Sequence, residues 1–459
     1  MIDSAVILAA GRGTRIWPYG ETKPKAALPV GNVPIMTRQM RCLKSVGVKM
    51  FTIVTGHLEQ QVKSIALREG ADVTFVHQPD LSGPAQGLML ALERCDADPI
   101  YVVYGDVVAT VESYKALRDC WRKDCDAAVL VHKLEGEDPA EWFCASVADG
   151  QLQSVSAHSR GEHSHRLCGI AVLSEKAAGY VERHPGISTK LDVGAMPAME
   201  ADLSQTFQDM VDGGEKVAAV ETRDFFVDVD KPWHLLEANG RMAEYFNRRL
   251  KKDEISDGAK ISEDADIQGP IRVGPNSEIG KRVVIQGHVS IGANTTITNG
   301  AMLGRHIIIG DSCKIRDYCQ LGTYSVVGNN CVIGHCAEFT GVLMNKVYLY
   351  HYCELSGVIG TATDIGAATV CGTLRFDDGR TIHNVKGRKE MPRIGSNETY
   401  IGEYCRTGVN AIIMPGVKMG PYSILGPGTI AYHDVPARTL VLAKQEQVTK
   451  EWGPEKYGW

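Results

Sequence analysis

The second half of the chain repeats an apolar residue every six positions, and this period restricts the fold more than any other feature of the sequence. The repeat runs without a slip through Ile279, Ile285, Ile291, Ile297, Leu303, Ile309, Ile315, Leu321, Val327, Ile333 and Phe339. Four residues beyond these positions the side chain is mostly small or β-branched. Short strands that each bury one residue against neighbouring coils have this pattern, so the sequence predicts a hexapeptide-repeat parallel β-helix.

The same period accounts for several cysteines. Cys313, Cys319 and Cys331 occupy the small inward position, and so does Cys405 after Ile401. The chain has 13 cysteines, an odd number, and none of them forms a CxxC pair. We therefore expect reduced, mostly structural cysteines rather than a metal site or a disulfide framework.

A glycine-rich turn follows a short apolar run near the N-terminus. Residues 4–8 have the composition of a buried parallel strand, and Gly11 and Gly13 come just after it. Backbone without Cβ atoms can curve around a phosphate chain and direct several N–H groups at it. Arg15 and Lys25 supply positive charge nearby. No third glycine follows at the spacing of the dinucleotide-binding fingerprint, so that type of site is not indicated.

Short apolar runs alternate with helix-length segments through the rest of the first half. The runs lie at 50–55, 73–76, 100–104, 127–131, 169–173 and 216–220. Strands separated by helices predict an α/β fold with a mostly parallel, Rossmann-like sheet that helices cover on both faces. In such a sheet ligands bind at the carboxyl ends of the strands, where the glycine turn lies.

Polar side chains follow two of these apolar runs and one further run at 225–227. Asp106 follows one strand, and Asp228 and Asp230 end an apolar run much later in the chain. Carboxylates beside phosphates make physical sense if Mg²⁺ lies between them, although an isolated aspartate is as often a cap or turn residue. Gln78 follows another strand, where its amide could both donate to and accept from a nucleotide base or simply belong to a loop.

The segment LAAGRGTRIWPYGETKPKAALPVGNVPI resembles the signature of the sugar-phosphate nucleotidyltransferases. This resemblance implies that a turn formed by Ala9, Ala10, Gly11 and Gly13 binds the nucleotide. It also implies that two catalytic cations, Arg15 and Lys25, bind the phosphates. It further implies that Asp106 and Asp228 bind Mg²⁺. By the same resemblance Gln78 and Gly83 contact the base, and Gly169 and Glu200 contact the sugar.

One segment departs from the pattern of that family. Its members carry a Glu-Lys-Pro triplet whose lysine holds the sugar phosphate, whereas residues 157–159 here are Ala, His and Ser. A histidine at that place would replace a permanent charge with one that titrates near neutrality. His158, His163 and His165 also suggest a metal site. A solvated flexible loop is the favoured interpretation, because no acidic or cysteine partner stands at ligand spacing.

Over its whole length the chain resembles the archaeal-type bifunctional N-acetylglucosamine-1-phosphate uridylyltransferase/glucosamine-1-phosphate acetyltransferases. That resemblance implies a left-handed β-helix, commonly trimeric, with His351 as the general base of acetyl transfer and Lys386 near a sugar phosphate or coenzyme A. A tyrosine and a Gly-Asp pair that stand after this histidine in the family are absent, because residues 354–357 here are Glu, Leu, Ser and Gly. Thr373 replaces an asparagine. The β-helix is therefore either an acetyltransferase or a part that only assembles and regulates.

The sequence thus predicts an Mg²⁺-dependent nucleotidyltransferase that makes a UDP- or dTDP-sugar and pyrophosphate from a nucleoside triphosphate and a sugar 1-phosphate. One alternative is an enzyme that also acetylates an amino-sugar phosphate with acetyl-CoA. The other is a noncatalytic regulatory or scaffold subunit that binds nucleotide sugars. The formal charge of -6 argues against a nucleic-acid partner.

The same patterns predict the division of the 459-residue chain. We expect a nucleotidyltransferase domain at 1–235, a connecting helix at 236–258, the β-helix at 259–440 and a tail at 441–459. An insertion at 376–392 separates the later repeats, which resume at Ile394, Ile401, Met419 and Leu425. Without a bilayer-length apolar run or a basic leader, the chain is expected in the cytoplasm with no membrane partner.

Overall fold

The computed structural model describes residues 2–95, 97–121, 125–159, 161, 163–189 and 200–457. It confirms an α/β fold followed by a parallel β-helix. The strands of the first part are β1 (Ser4–Ala9), β2 (Pro29–Val30), β3 (Val33–Pro34), β4 (Met50–Thr55), β5 (Asp72–His77), β6 (Ile100–Tyr104), β7 (Val107–Ala109), β8 (Ala127–Lys133), β9 (Phe143–Ala148), β10 (Gln151–Ala157), β11 (His165–Leu173), β12 (Val217–Glu221) and β13 (Phe226–Asp228). Its helices are α1 (Ile35–Ser45), α2 (Glu59–Arg68), α3 (Pro84–Leu92), α4 (Val111–Trp121), α5 (Glu175–Glu182), α6 (Leu203–Asp212) and α7 (Pro232–Asn247).

Nine strands form the main sheet, in the order β5-β4-β1-β6-β11-β8-β12-β10-β9. Only β10 and β11 run against the others, so the expected mostly parallel sheet is confirmed. Strand β1 lies between β4 and β6, which places the glycine turn next to the carboxyl end of β6. Helices α1, α2 and α4 pack on one face of the sheet and α3, α5 and α6 on the other. A separate two-stranded pair joins β7 to β13.

The β-helix is built from very short strands that pair in parallel with the next coil. Ile279 pairs with Ile297, and Ile297 pairs with Ile315, which is a step of 18 residues per coil. The strands are Glu254–Ile255, Lys260–Ile261, Asp266–Ile267, Ile271–Val273, Glu278–Ile279, Val284–Ile285, Val289–Ile291, Thr296–Ile297, Met302–Leu303, Ile307–Ile309, Lys314–Ile315, Gln320–Leu321, Val326–Val327, Val332–Ile333, Glu338–Leu343, Tyr348–Leu349, Glu354–Ile359, Asp364–Ile365, Val370–Cys371, Thr399–Ile401, Arg406–Thr407, Ile412–Ile413, Lys418–Met419, Ile424–Leu425, Ile430–Ala431 and Leu440–Val441.

The residues predicted to face inward form the core of this β-helix. All eleven apolar positions of the repeat from Ile279 to Phe339 are at most 3% exposed. Cys313, Cys319 and Cys331 are at most 1% exposed, so their expected place in the core is confirmed. The prediction for Ile394 is wrong, because this residue is 47% exposed and lies outside the strands.

The insertion in the β-helix contains an antiparallel hairpin formed by strands His383–Val385 and Arg388–Glu390. This hairpin and helix α7 lie between the two parts of the chain. An apolar cluster continues from the α/β part into the β-helix and includes Ile16, Trp233, Val358, Val385 and Tyr400. The two parts therefore share a packed interface. None of the described helices is both long and apolar enough to cross a bilayer.

Candidate active site

The glycine turn leaves open space at the end of β1. A Cβ atom added to Gly11 would meet no other atom within 4 Å, so the backbone there faces a space that a ligand could fill. Gly13 has left-handed backbone angles, φ 59° and ψ 37°, and begins a short 3₁₀ turn over Thr14–Ile16. A Cβ atom at Gly13 would lie 3.0 Å from Cγ of Lys25, so glycine there lets the lysine pass behind the turn. Ala9 and Ala10 are buried beneath it.

Lys25 lies between two carboxylates. Its Nζ atom is 2.9 Å from Oδ2 of Asp106 and 2.7 Å from Oδ1 of Asp230. The half-exposed Arg15 approaches the same Asp230 oxygen with its Nε atom at 3.1 Å. Burial lowers the pKa of Lys25, but the surrounding carboxylates outweigh this effect and raise the pKa above its usual value. Both cations therefore stay charged at neutral pH.

Asp106 and Asp228 come together although they are far apart in the sequence. Asp228 ends β13 and pairs with Val107, the residue after Asp106. The N–H of Val229 donates a 2.9 Å hydrogen bond to the Asp106 carbonyl. Both carboxylates lie near Lys25 and contribute to raising its pKa. The structure therefore brings both predicted metal carboxylates to the glycine turn, and their metal-binding role remains a prediction.

The carboxylates carry unequal charge. Burial, with repulsion from Asp106 and Asp230, raises the pKa of Asp228 to about 7. The pKa of Asp230 is below its usual range, because attraction to Lys25 and Arg15 outweighs the opposing effect of burial. Asp230 contacts both cations, and Asp106 shares Lys25 with it, so three carboxylates face two cations. The cluster therefore has one negative charge in excess when all three carboxylates are ionised.

This excess charge suits a divalent cation. Magnesium is commonly bound by one or two protein carboxylates together with substrate phosphates and waters. Within the described ranges no group of three or more His, Cys, Asp or Glu side chains is arranged to hold a metal ion by itself. Asp106 and Asp228 therefore fit Mg²⁺ as a pair that needs oxygen atoms from a bound substrate.

The segment expected to contact the base is held by its own hydrogen bonds. Gln78 is 5% exposed, and its Nε2 donates a 3.0 Å hydrogen bond to the Gly83 carbonyl. Gly83 has φ 126°, and a Cβ atom there would lie 2.5 Å from the Ala201 nitrogen. Ala201 also exchanges backbone hydrogen bonds with Ser82 and Ala85. The structure thus links Gln78 and Gly83 to the segment of Glu200, which is exposed.

On the predicted sugar side, Gly169 and His158 differ in how they are placed. Gly169 has φ 65°, and a Cβ atom there would lie 2.8 Å from the Tyr104 ring, so glycine allows this close approach. His158 instead faces the neighbouring strand: its Nδ1 lies 3.0 Å from the Ala140 carbonyl and its ring packs on Phe143. Its substitution for the family's lysine remains a prediction, and among the described residues no hydrogen bond or ion pair joins it to the three aspartates.

The sequence did not assign a role to Asp230, which the structure makes the shared partner of Arg15 and Lys25. Its signal was the Asp-Val-Asp-Lys-Pro segment at 228–232, in which two aspartates two residues apart lie on the same side of an extended chain and can both face the site. Which aspartate faces the metal and which faces the cations depends on the pairing of β13 with β7, and that pairing has no local sequence signal.

The predicted acetyl-transfer residues lie on the outside of the β-helix. His351 occupies a turn between strands, where its ring stacks on His335 at 5.1 Å between centroids. Lys386 is exposed in the turn of the inserted hairpin, with φ 49°. A groove of about 240 Å³ near Thr373 has three charged lining residues, which are Glu338, Glu354 and Glu398. This lining repels phosphate groups, and the roles of His351 and Lys386 remain predictions.

Comparison with known proteins agrees with this arrangement. Residues 5–168 match the family model of the MobA-like NTP transferase domain, and residues 267–376 match that of the GMPPB C-terminal domain. The resemblance to the sugar-phosphate nucleotidyltransferases is confirmed. Both matches fall where the sequence predicted the two parts of the fold.

Two curated relatives align over nearly the whole chain. The chain is 25% identical over 451 residues to the bifunctional protein GlmU of Methanococcus aeolicus, covering 97% of this chain and 98% of the relative. It is 25% identical over 438 residues to the bifunctional sugar-1-phosphate nucleotidylyltransferase/acetyltransferase of Sulfurisphaera tokodaii, covering 94% and 98%. A solved inositol-1-phosphate CTP transferase from T. maritima is 17% identical, with a TM-score of 0.46 over 53% of this chain and 97% of that one.

Proposed function

We propose that the protein transfers a nucleotidyl group from a nucleoside triphosphate to a sugar 1-phosphate and releases pyrophosphate. The observation that carries this proposal is the convergence of Asp106 and Asp228 with Lys25 and Arg15 in front of the open turn at Gly11. Two cations and two carboxylates at one backbone turn match the charges of a triphosphate and its metal. The names of the full-length relatives support the same reaction.

In the proposed reaction a sugar phosphate oxygen attacks the α-phosphorus, and the bond between the α-phosphorus and the bridging oxygen breaks. Pyrophosphate leaves with that bridging oxygen, and no covalent intermediate with the protein forms. The backbone at Ala9, Ala10, Gly11 and Gly13 binds the triphosphate through its N–H groups. Asp106 and Asp228 would hold Mg²⁺, which supplies Lewis-acid stabilisation of phosphate charge when bound.

Arg15 and Lys25 stabilise the negative charge that moves onto the leaving pyrophosphate. Their positive charges are maintained by the aspartates beside them, which raise the pKa of both groups. Cations that are already oriented by the protein stabilise a transition state without reorganising during the reaction. Asp230 is therefore a positioning residue in this proposal, because it holds both side chains.

We further propose a UDP- or dTDP-sugar as the product, which rests on the resemblance of the base segment. Gln78 and Gly83 would contact the base, and Gly169 and Glu200 the sugar. A homotrimer formed through the β-helix in the cytoplasm is proposed on the same ground, and sedimentation velocity of the full chain measures that assembly.

The noncatalytic alternative is disfavoured by the charges of the site. A subunit that only bound nucleotide sugars would have no physical need for an excess of carboxylates over cations beside the phosphate turn. Retaining Asp106 and Asp228 without a metal costs stability, since burial and repulsion raise the pKa of Asp228.

Acetyl transfer from acetyl-CoA is supported by the names of the relatives. The groove lined by Glu338, Glu354 and Glu398 includes neither His351 nor Lys386, so its acidic lining does not bear on that reaction. Thiol release from acetyl-CoA with amino-sugar phosphates decides this question. Thiol release by the wild type that is lost in His351→Ala would establish acetyl transfer. A wild type that releases no thiol would exclude that reaction.

The proposed reaction is tested by measuring pyrophosphate release over a grid of nucleoside triphosphates and sugar 1-phosphates with Mg²⁺. We expect one or more pairs to turn over and Asp106→Ala to abolish that turnover. Asp119→Ala, an exposed carboxylate on α4, is the matched control and should keep full activity. Nucleotide binding without turnover of any pair would favour the scaffold alternative, and an active Asp106→Ala variant would refute the metal assignment.

A further inference from the structure

The turn that carries Arg15 and Lys25 is supported from behind by the β-helix. Tyr19, in the middle of this segment, is fully buried, and its hydroxyl donates a 2.7 Å hydrogen bond to the Val358 carbonyl. Four residues later, Lys23 forms an ion pair with Glu403. Both partners belong to coils of the β-helix, so this segment is fixed by residues outside the α/β part.

Glu403 is an unusual residue for a turn of the β-helix, because it is buried at the interface with the α/β part. Its side chain is 2% exposed, and Lys23 provides a cation for it. Burying a carboxylate costs several kcal/mol unless a positive charge compensates it. The pair therefore restrains Lys23 strongly, and Lys25 follows only two residues later. A shift at Lys23 would move the ammonium group that lies between Asp106 and Asp230.

A second buried ion pair supports the opposite side of the site. Lys231 directly follows Asp230 and precedes helix α7, and its side chain is 5% exposed. Its Nζ atom is 2.7 Å from Glu390 of the inserted hairpin and 3.6 Å from Glu141. The hairpin of the β-helix thus holds the end of the strand that carries Asp228.

We propose that Glu403 and Glu390 are positioning residues for nucleotidyl transfer, which makes the β-helix a structural part of the active site. Glu403 fixes the segment that holds the triphosphate, and Glu390 fixes the segment that ends in Asp228 and Asp230. This inference rests on the proposed function. It adds that the α/β part reaches full activity only while both buried ion pairs are intact.

The test uses full-length Glu403→Gln, which keeps the size of the side chain and removes its charge. Titration calorimetry with Mg²⁺ and the best-binding nucleoside triphosphate should show about tenfold weaker binding, since small misplacements of binding groups have effects of this order or larger. The KM for sugar 1-phosphate should change by less than about twofold, which separates local positioning from general loss of structure. The matched control is Glu254→Gln, which breaks the exposed ion pair with Arg272 and should bind as the wild type does.

A double-mutant cycle tests whether Glu403 affects nucleotide binding through its ion pair with Lys23. Lys23→Met should weaken nucleotide binding to a similar degree, and adding Glu403→Gln to it should cause no further loss, because both changes remove one interaction. Glu390→Gln should lower kcat at limiting Mg²⁺ by about tenfold, because it releases the segment that carries Asp228, and an unchanged kcat would remove Glu390 from the proposal.

Unchanged nucleotide affinity in folded Glu403→Gln and in Lys23→Met would overturn the inference. So would additive losses in the double variant. If the wild type binds nucleotide but turns over no substrate pair, the proposed function fails while the affinities of these variants still decide the role of Glu403. A wild type that binds no nucleoside triphosphate at all would overturn both.

Discussion

At the scale of single residues, the site depends on which of its three aspartates form ion pairs with Arg15 and Lys25. The sequence could place Arg15 and Lys25 near the aspartates, because parallel strands deliver their carboxyl ends to one edge of a sheet. It could not show that Asp230 contacts both cations while Asp106 shares Lys25 with it, or that burial and repulsion from these two aspartates raise the pKa of Asp228. That outcome depends on the β7–β13 pairing, which joins segments far apart in the chain.

The raised pKa of Asp228 predicts how stability changes with pH in metal-free protein. Since its pKa rises from 3.8 to about 7 on folding, its contribution to stability is full below pH 3.8 and is lost as pH rises through about 7. Asparagine resembles the protonated acid and does not titrate. Asp228→Asn should therefore raise the melting temperature by about 4 °C at pH 8 and by less than about half of that at pH 5.

This comparison is made by differential scanning calorimetry with a chelator present. Asp212→Asn on α6 serves as the control for replacing an aspartate outside the site, and it should show the same small change at both pH values. An equal gain at pH 5 and pH 8 in Asp228→Asn would contradict a raised pKa at this residue.

At the scale of elements, the six-residue period predicted which side chains fill the β-helix but not where the coils shorten. After Phe339 the step between coils falls from 18 to 16 residues, as in the pairings of Leu343 with Ile359 and of Leu349 with Ile365. Continuous strands at Glu338–Leu343 and Glu354–Ile359 pass around a corner there. The inserted hairpin was recognised only as an interruption, because its packing against Lys231 is a long-range contact.

Gly341 makes the shortened corner possible, and its replacement should be costly. It has φ 124°, and an added Cβ atom would lie 2.1 Å from the Gly357 carbonyl oxygen. Gly341→Ala should lower the melting temperature of the β-helix by about 5 °C or more, measured by calorimetry. Gly179→Ala on α5, where an added Cβ would meet nothing within 4 Å, should leave it unchanged. Equal effects of the two changes would contradict this account of the corner.

At the scale of the whole molecule, the two parts meet behind the active site. Lys23 and Glu403 are 380 residues apart in the sequence, so no local pattern could predict their ion pair. The resemblance predicted the order of the two folds and most of the candidate site, because those features lie in continuous motifs. It did not predict an acidic groove in the β-helix or the hairpin that reaches Lys231.

The central claim is that Asp106 and Asp228 hold a divalent ion in front of the glycine turn together with the substrate phosphates. Crystals of the full chain grown with Mn²⁺ and a nonhydrolysable nucleoside triphosphate test it through the anomalous signal of manganese. The account predicts an anomalous peak within coordination distance of both carboxylates and of a phosphate oxygen, about 2.0–2.3 Å from each. A nucleotide bound at the turn with no peak between these two aspartates would contradict it.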